Sequence, residues 1–172
     1  MNGTFKRERM PRAFLSIGSN IGDGIGNCRK AIETATKEGN ISLVRKSSFY
    51  KTSAWGSIGQ PDFVNCVIEI STALRPGNLL LFLKKIEKDM GRTPSEKWGG
   101  RVIDLDIIFY NSEIIDEPGL KIPHPLAHKR GFVLIPLCEV APDYIHPLLK
   151  KTVSELAGLI EDTGDVKKIE AE

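Results

Sequence analysis

Phe63-Val64-Asn65-Cys66-Val67-Ile68-Glu69-Ile70-Ser71-Thr72 reads as a strand, and its partner decides the architecture. Residues 41–50 alternate well enough to form a strand of their own, and residues 53–61, with two glycines and a proline, cannot continue it. A surface loop therefore separates two strands. The even spacing of residues 63–72 predicts that they pair antiparallel with residues 41–50 across that loop.

Upstream, Ala13-Phe14-Leu15-Ser16-Ile17-Gly18 is a short apolar run closed by Gly-Ser-Asn, the pattern of a buried first strand. Ile25, Cys28, Ala31, Ile32 and Ala35 recur at helical spacing, and Gly39-Asn40 supplies a stop. Downstream, Pro76 opens a second helix with Leu79, Leu80, Leu83, Ile86 and Met90 on one face and Gly91 at its end. A polar loop, residues 92–100, leads to an apolar strand at residues 102–110. The order β-α-β-β-α-β predicts an α+β fold, a ferredoxin-like α/β sandwich with helices on one face of an antiparallel sheet. Beyond it, Ile114-Ile115 is expected as a short edge strand, residues 121–130 as a proline-bounded loop, and residues 132–140 and 153–160 as C-terminal helices.

A chain of 172 residues suits one domain. Residues 1–10 are basic and lack an apolar face, so they are expected as a disordered N-terminal extension, with residues 11–172 forming the domain. A net charge of +2 argues for neither a nucleic-acid nor a membrane partner. No apolar stretch has the length of a membrane span or the form of a secretory signal. Cys28, Cys66 and Cys138 are odd in number and lack CxxC spacing, which predicts reduced thiols in a cytoplasmic protein rather than a disulfide framework or a zinc site. A monomer is expected.

The chemistry concentrates in Lys97-Trp98-Gly99-Gly100-Arg101-Val102-Ile103-Asp104-Leu105-Asp106-Ile107-Ile108. Aspartates two apart on a strand share a face, with Cα atoms about 6.5 Å apart. Such a pair can share metal ions spaced about 3.5–4 Å apart, an arrangement that clamps phosphoryl oxygens. Burying both charges without a cation would be costly, and the apolar neighbours mark a core strand. Taken alone, Asp-x-Asp occurs by chance in many strands. Its neighbours strengthen it, because Arg92, Lys97 and Arg101 precede the pair and suit polyphosphate oxygens. Pro123-His124-Pro125 holds a histidine in a stiff loop, and Arg130-Gly131-Phe132 sets a cation near an aromatic ring. A loop histidine is more often idle than catalytic. The P-loop pattern GxxxxGK[ST] is missing.

Together these segments resemble the 6-hydroxymethyl-7,8-dihydropterin pyrophosphokinase family, over about residues 13–147. The matching pieces are Ile17-Gly18-Ser19-Asn20, Ser48-Phe49-Tyr50-Lys51-Thr52, Gln60-Pro61-Asp62-Phe63-Val64-Asn65, residues 98–108, Pro123-His124 and Arg130-Gly131-Phe132. The resemblance implies attack of a pterin hydroxyl on the β-phosphorus of ATP with release of AMP. It implies that Asp104 and Asp106 bind two magnesium ions together with ATP, and that Arg92 and Arg101 join them in catalysis. It places Glu87, Lys97, Trp98, Arg101, His124 and Arg130 around ATP. Thr52, Trp55, Phe63, Asn65, Asp104 and Phe132 fall around the pterin. Phe63 stands where a tyrosine is familiar, Gly100 where proline or another small residue other than glycine is usual, and Pro94, Trp55 and Gly56 also depart from the pattern.

Two rival readings start from the same residues. A ferredoxin-like nucleic-acid-binding module would need exposed aromatics and a basic groove, which the acidic pair opposes. A metal-dependent nucleotidyl transferase or nuclease could use the same aspartates.

Overall fold

The computed structural model describes residues 10–53, 60–92, 100–160 and 165–170. The elements are β1 (Arg12–Ser19), α1 (Gly24–Lys37), β2 (Ile41–Lys46), β3 (Phe49–Thr52), β4 (Phe63–Thr72), α2 (Pro76–Asp89), β5 (Asp104–Tyr110), β6 (Ile115–Glu117), β7 (Leu120–Ile122), α3 (Gly131–Val140), α4 (Val153–Gly158) and β8 (Lys167–Ile169). A 3-10 turn, Ala127–Lys129, precedes α3.

The main sheet runs β5-β1-β4-β3-β8, with β2 also paired to β4. Every pairing in it is antiparallel, including that of residues 63–72 with the strand before the loop. That preceding strand is not continuous over residues 41–50 as expected. It divides at Ser47, whose N–H donates to the Val67 carbonyl while its hydroxyl accepts from the Val67 N–H, both at 2.9 Å. A side-chain oxygen thus replaces a backbone carbonyl in the ladder, and β2 and β3 meet β4 as separate strands.

Helix α1 starts at Asp23, whose carboxylate accepts from the Gly26 N–H at 2.9 Å, and the chain leaves it through Gly39 at φ +77°. Helix α2 has Pro76 in its first turn, and Gly91 at φ +94° follows its end. Both helices cover one face of the sheet, where Cys28, Ile32, Leu79, Leu83 and Ile86 pack on Leu15, Ile17, Ile68, Ile70 and Leu105.

The two helices of the β-α-β-β-α-β order share one face as expected, and the C-terminal helices α3 and α4 do not join them. They lie on the other face, against Phe14, Val67 and Phe109, because α3 is apolar nearly all round and buries Val133, Leu134, Leu137 and Val140. Residues 121–130 are likewise not all loop. The chain turns at Gly119, φ +83°, so that β7 pairs with β6 as a separate two-stranded sheet. No helix among the described residues is long and apolar enough to cross a membrane.

Candidate active site

Two rows of residues cross the sheet face on which α3 packs. One row is Asp104, Gly18, Asn65 and Tyr50, and the next is Asp106, Ser16 and Val67. Residues directly opposite on antiparallel strands project to the same side, so the register sets both aspartates, Ser16 and Asn65 on one surface. Gly18 leaves room for the Asn65 side chain there. A Cβ on it would lie 2.9 Å from Asn65 Oδ1. Asn65 is buried, and its Nδ2 donates to Thr52 Oγ1 at 2.9 Å. Phe63 stands opposite Thr52 and is half-buried.

The two aspartates are held differently. Asp104 accepts from Arg92 at 2.8 Å on one oxygen and from Arg101 at 2.5 Å on the other. Among the described residues Asp106 has no such ion pair. Burial first, then the charge of Asp104, raise its carboxyl above the usual range, against the pull of His124, Lys84 and Arg130. Together with Ser16, His124, Arg130 and Phe132 it lines a cavity under the start of α3.

His124 is anchored by its N–H to the Ile108 carbonyl at 2.9 Å, and its Nδ1 accepts from the Leu126 N–H at 3.1 Å. That bond assigns the proton to Nε2, which is left as a donor. Burial lowers the ring's pKa despite the nearby Asp106, so the neutral form prevails at neutral pH. Arg130 lies 5.6 Å from the centroid of the Phe132 ring.

Glu87, expected beside the nucleotide, is turned into the protein and only 2% exposed. Its carboxylate accepts from the Leu105 N–H at 2.7 Å and pairs with Lys84 and Arg92. The reason lies at the sheet edge: β5 ends the strand order, its Leu105 N–H needs an acceptor, and Glu87 on α2 supplies it.

Thr52, Phe63, Asn65, Arg92, Arg101, Asp104, Asp106, His124, Arg130 and Phe132 therefore belong to one end of the sheet and the segments around it. Trp55, Lys97 and Trp98 lie outside the described residues, as do Gly56, Pro94 and Gly99. Sequence reasoning gave no role to Ser16, although a serine inside an apolar strand was a visible signal. It also gave none to Asn20, which accepts from the Arg101 N–H at 2.6 Å and donates its own N–H to the Arg101 carbonyl at 3.0 Å. Nothing local marks such a long-range backbone clasp. Among the described residues no three His, Cys, Asp or Glu side chains gather to hold a metal. Two carboxylates on one face fit a hard divalent ion whose remaining ligands are phosphate oxygens and water.

The family model for 7,8-dihydro-6-hydroxymethylpterin-pyrophosphokinase (HPPK) matches residues 14–142. A 2-amino-4-hydroxy-6-hydroxymethyldihydropteridine pyrophosphokinase of Aquifex aeolicus is 42% identical over 146 residues, covering 85% of this chain and 90% of that protein. Its namesake in Haemophilus influenzae is 41% identical over 138 residues, covering 80% of this chain and 86% of the other. A crystal structure of Plasmodium falciparum HPPK-DHPS shares the fold with a TM-score of 0.69 at 17% identity. That likeness covers 89% of this chain, which spans 45% of the Plasmodium chain.

Proposed function

The chain belongs to the 7,8-dihydro-6-hydroxymethylpterin-pyrophosphokinase family and transfers a pyrophosphoryl group from ATP to hydroxymethyldihydropterin in folate biosynthesis, and we propose that Asp104 and Asp106 are the centre of that chemistry. The observation that carries the proposal is their shared sheet face, with Asp106 opening into the cavity of His124, Arg130 and Phe132. The strand order, with β1 between β5 and β4, supports a ferredoxin-like sandwich as the scaffold.

In this reading Asp104 and Asp106 would hold two magnesium ions, which arrive with ATP and offset the charge of its polyphosphate. Arg92, Arg101 and Arg130 add fixed positive charge around the same oxygens. Neutral His124 presents Nε2–H to a phosphate oxygen; with Nδ1 already accepting from Leu126, it acts as a donor and not as a base. Asn65 and Thr52 offer hydrogen bonds to the polar edge of the pterin, and Phe132 and Phe63 offer ring faces. The hydroxymethyl oxygen bonds to the β-phosphorus, the bond from that phosphorus to the α-bridging oxygen breaks, AMP leaves, and the hydroxyl proton passes to solvent. Glu87 acts at one remove, by fixing Arg92 and the edge of β5. Positioning and charge neutralisation carry most of the acceleration in such transfers.

The test is AMP formation from ATP with and without the pterin. AMP that depends on the pterin, and is lost in Asp106→Asn, supports the assignment. A nuclease or nucleotidyl transferase would release products without the pterin, and a nucleic-acid module would shift RNA and release none.

A further inference from the structure

Strand β8 lies beyond residues 14–142, the part of the chain matched by the family model. It pairs with β3 through Phe49 with Ile169, Tyr50 with Lys168 and Lys51 with Lys167. One residue past β3, the Ser53 hydroxyl donates to Asp165 Oδ2 at 3.3 Å. From above, Glu139 of α3 reaches both strands. It accepts from the Ser48 N–H and the Tyr50 hydroxyl, each at 2.9 Å, from the Ser48 hydroxyl at 2.8 Å, and from Lys168 at 3.4 Å. Ile169 packs on the main core beside Phe49.

Without β8, β3 would be a four-residue edge strand with β4 as its one strand partner, the kind of element that opens locally at lower cost than an interior strand. With β8 it becomes an interior strand. We propose that residues 165–170 are a positioning clamp for the pterin half of the site. The coupling runs through Thr52, the last residue of β3, whose Oγ1 accepts from Asn65 Nδ2 at 2.9 Å. Any drift of β3 turns the Asn65 carboxamide, so the clamp lowers the ordering cost of binding the pterin. The ATP half is insulated by topology, because β5 and β8 are opposite ends of the strand path. This inference rests on the assignment of Thr52 and Asn65 to the pterin.

The decisive variant is Ile169→Asp in the full chain, with Ile169→Val as the conservative control and Ser53→Ala as a milder probe that leaves the core intact. Hydrogen exchange is read at the amides of β3, and calorimetry gives the affinities for the pterin, with a non-hydrolysable ATP analogue present, and for ATP with magnesium. Ile169→Asp should speed exchange in β3 and weaken the pterin by about five- to tenfold, leaving ATP within about twofold. Ser53→Ala should shift the pterin in the same direction by less, and Ile169→Val should restore wild-type values. Faster exchange with unchanged pterin affinity overturns the clamp, as does equal weakening of both ligands. If the unaltered chain itself fails to bind the pterin, the functional reading falls and the clamp's role falls with it, a failure that shows before any variant is made.

Discussion

Arg92 lies 2.8 Å from Asp104 and is paired at the same time with Glu87, so one guanidinium ties a carboxylate of the core to a carboxylate of the site. The second acceptor role of Glu87, to the Leu105 N–H, fixes the edge of β5 at the residue between the two aspartates. Charge and backbone geometry at the site thus share one anchor on α2.

Glu87→Ala should therefore act as a core substitution. It leaves the buried Leu105 N–H without an acceptor and Arg92 with Asp104 as its remaining carboxylate among the described residues, at a cost of about 1–3 kcal/mol. Glu87→Gln keeps an acceptor for Leu105 and should lose less. Urea unfolding measures both; a stable Glu87→Ala that fails only in ATP binding would make Glu87 a nucleotide ligand instead.

Asp104 and Asp106 should part company in stability although both should matter for turnover. Either substitution to Asn should lower turnover by at least about 10²-fold, the scale of one lost preorganised electrostatic group. Asp106 has a carboxyl raised in the folded protein, so its favourable contribution is complete below the ordinary carboxyl value of 3.8 and is lost as pH rises through the folded value. Asp106→Asn should accordingly raise Tm at neutral pH, with the gain vanishing in acid. Asp104→Asn strips a charged acceptor from Arg92 and Arg101 and should lower Tm, which departs from simple repulsion between two unpaired carboxylates. Thermal melts at pH 7 and in acid separate the two; identical shifts would refute the distinction.

Gly18→Ala places a methyl 2.9 Å from Asn65 Oδ1, and the carboxamide must move. Overpacking of this kind costs about 1–3 kcal/mol. Part of that cost should appear as weaker pterin binding with ATP affinity preserved. Calorimetry with each ligand decides; parallel loss of both would mean that the strand itself had shifted.

Acid should loosen the segment between α3 and α4 through His146. Its Nδ1 accepts from the N–H groups of Leu148 and Leu149, each at 3.2 Å, and its ring is buried against Phe109 and His128. Burial chiefly, and then His128, hold its pKa below 6.5. For a histidine this depression means that neutral His146 supports the fold fully above the unfolded value, and that support declines as pH falls below it, where the unfolded chain binds more protons. Protonation would also turn the Nδ1 acceptor into a donor facing two donors. His146→Asn, which can offer an amide oxygen to the same N–H groups, should lower Tm near neutrality but flatten its fall between about pH 7.5 and 5.5. Parallel curves for the two proteins would remove His146 from the account.

Much of the fold was legible because its signals are local. The helical spacing of Ile25, Cys28, Ala31 and Ile32, the proline opening α2 and the glycines at positions 39 and 91 mark elements that the structure contains. The Asp104 and Asp106 pair was legible for the same reason, since side-chain alternation puts both on one face. What escaped depends on distant partners. Ser47 splits a strand only because Val67 lies opposite, and Glu87 turns inward only because α2 passes the edge of β5. Lys167-Lys168-Ile169 carries no strand pattern, and it is β3 and Glu139 that make it one. The face chosen by α3 was equally hidden, since a helix apolar on nearly every side does not announce which surface it will cover.

The two carboxylates and Asn65 hang from β5 and β4, with β1 paired between them. Interior strands such as β1 and β4 come apart only when the whole molecule does, and β5, at the edge, is tied to them by β1 and by Glu87 of α2. Heat inactivation should accordingly be abrupt: on a temperature ramp the midpoint of lost activity should coincide with the midpoint of the melt, and cooled samples that regain their fold should regain their catalytic capacity in the same proportion. The same placement makes residual activity after storage a direct gauge of how many molecules are still native.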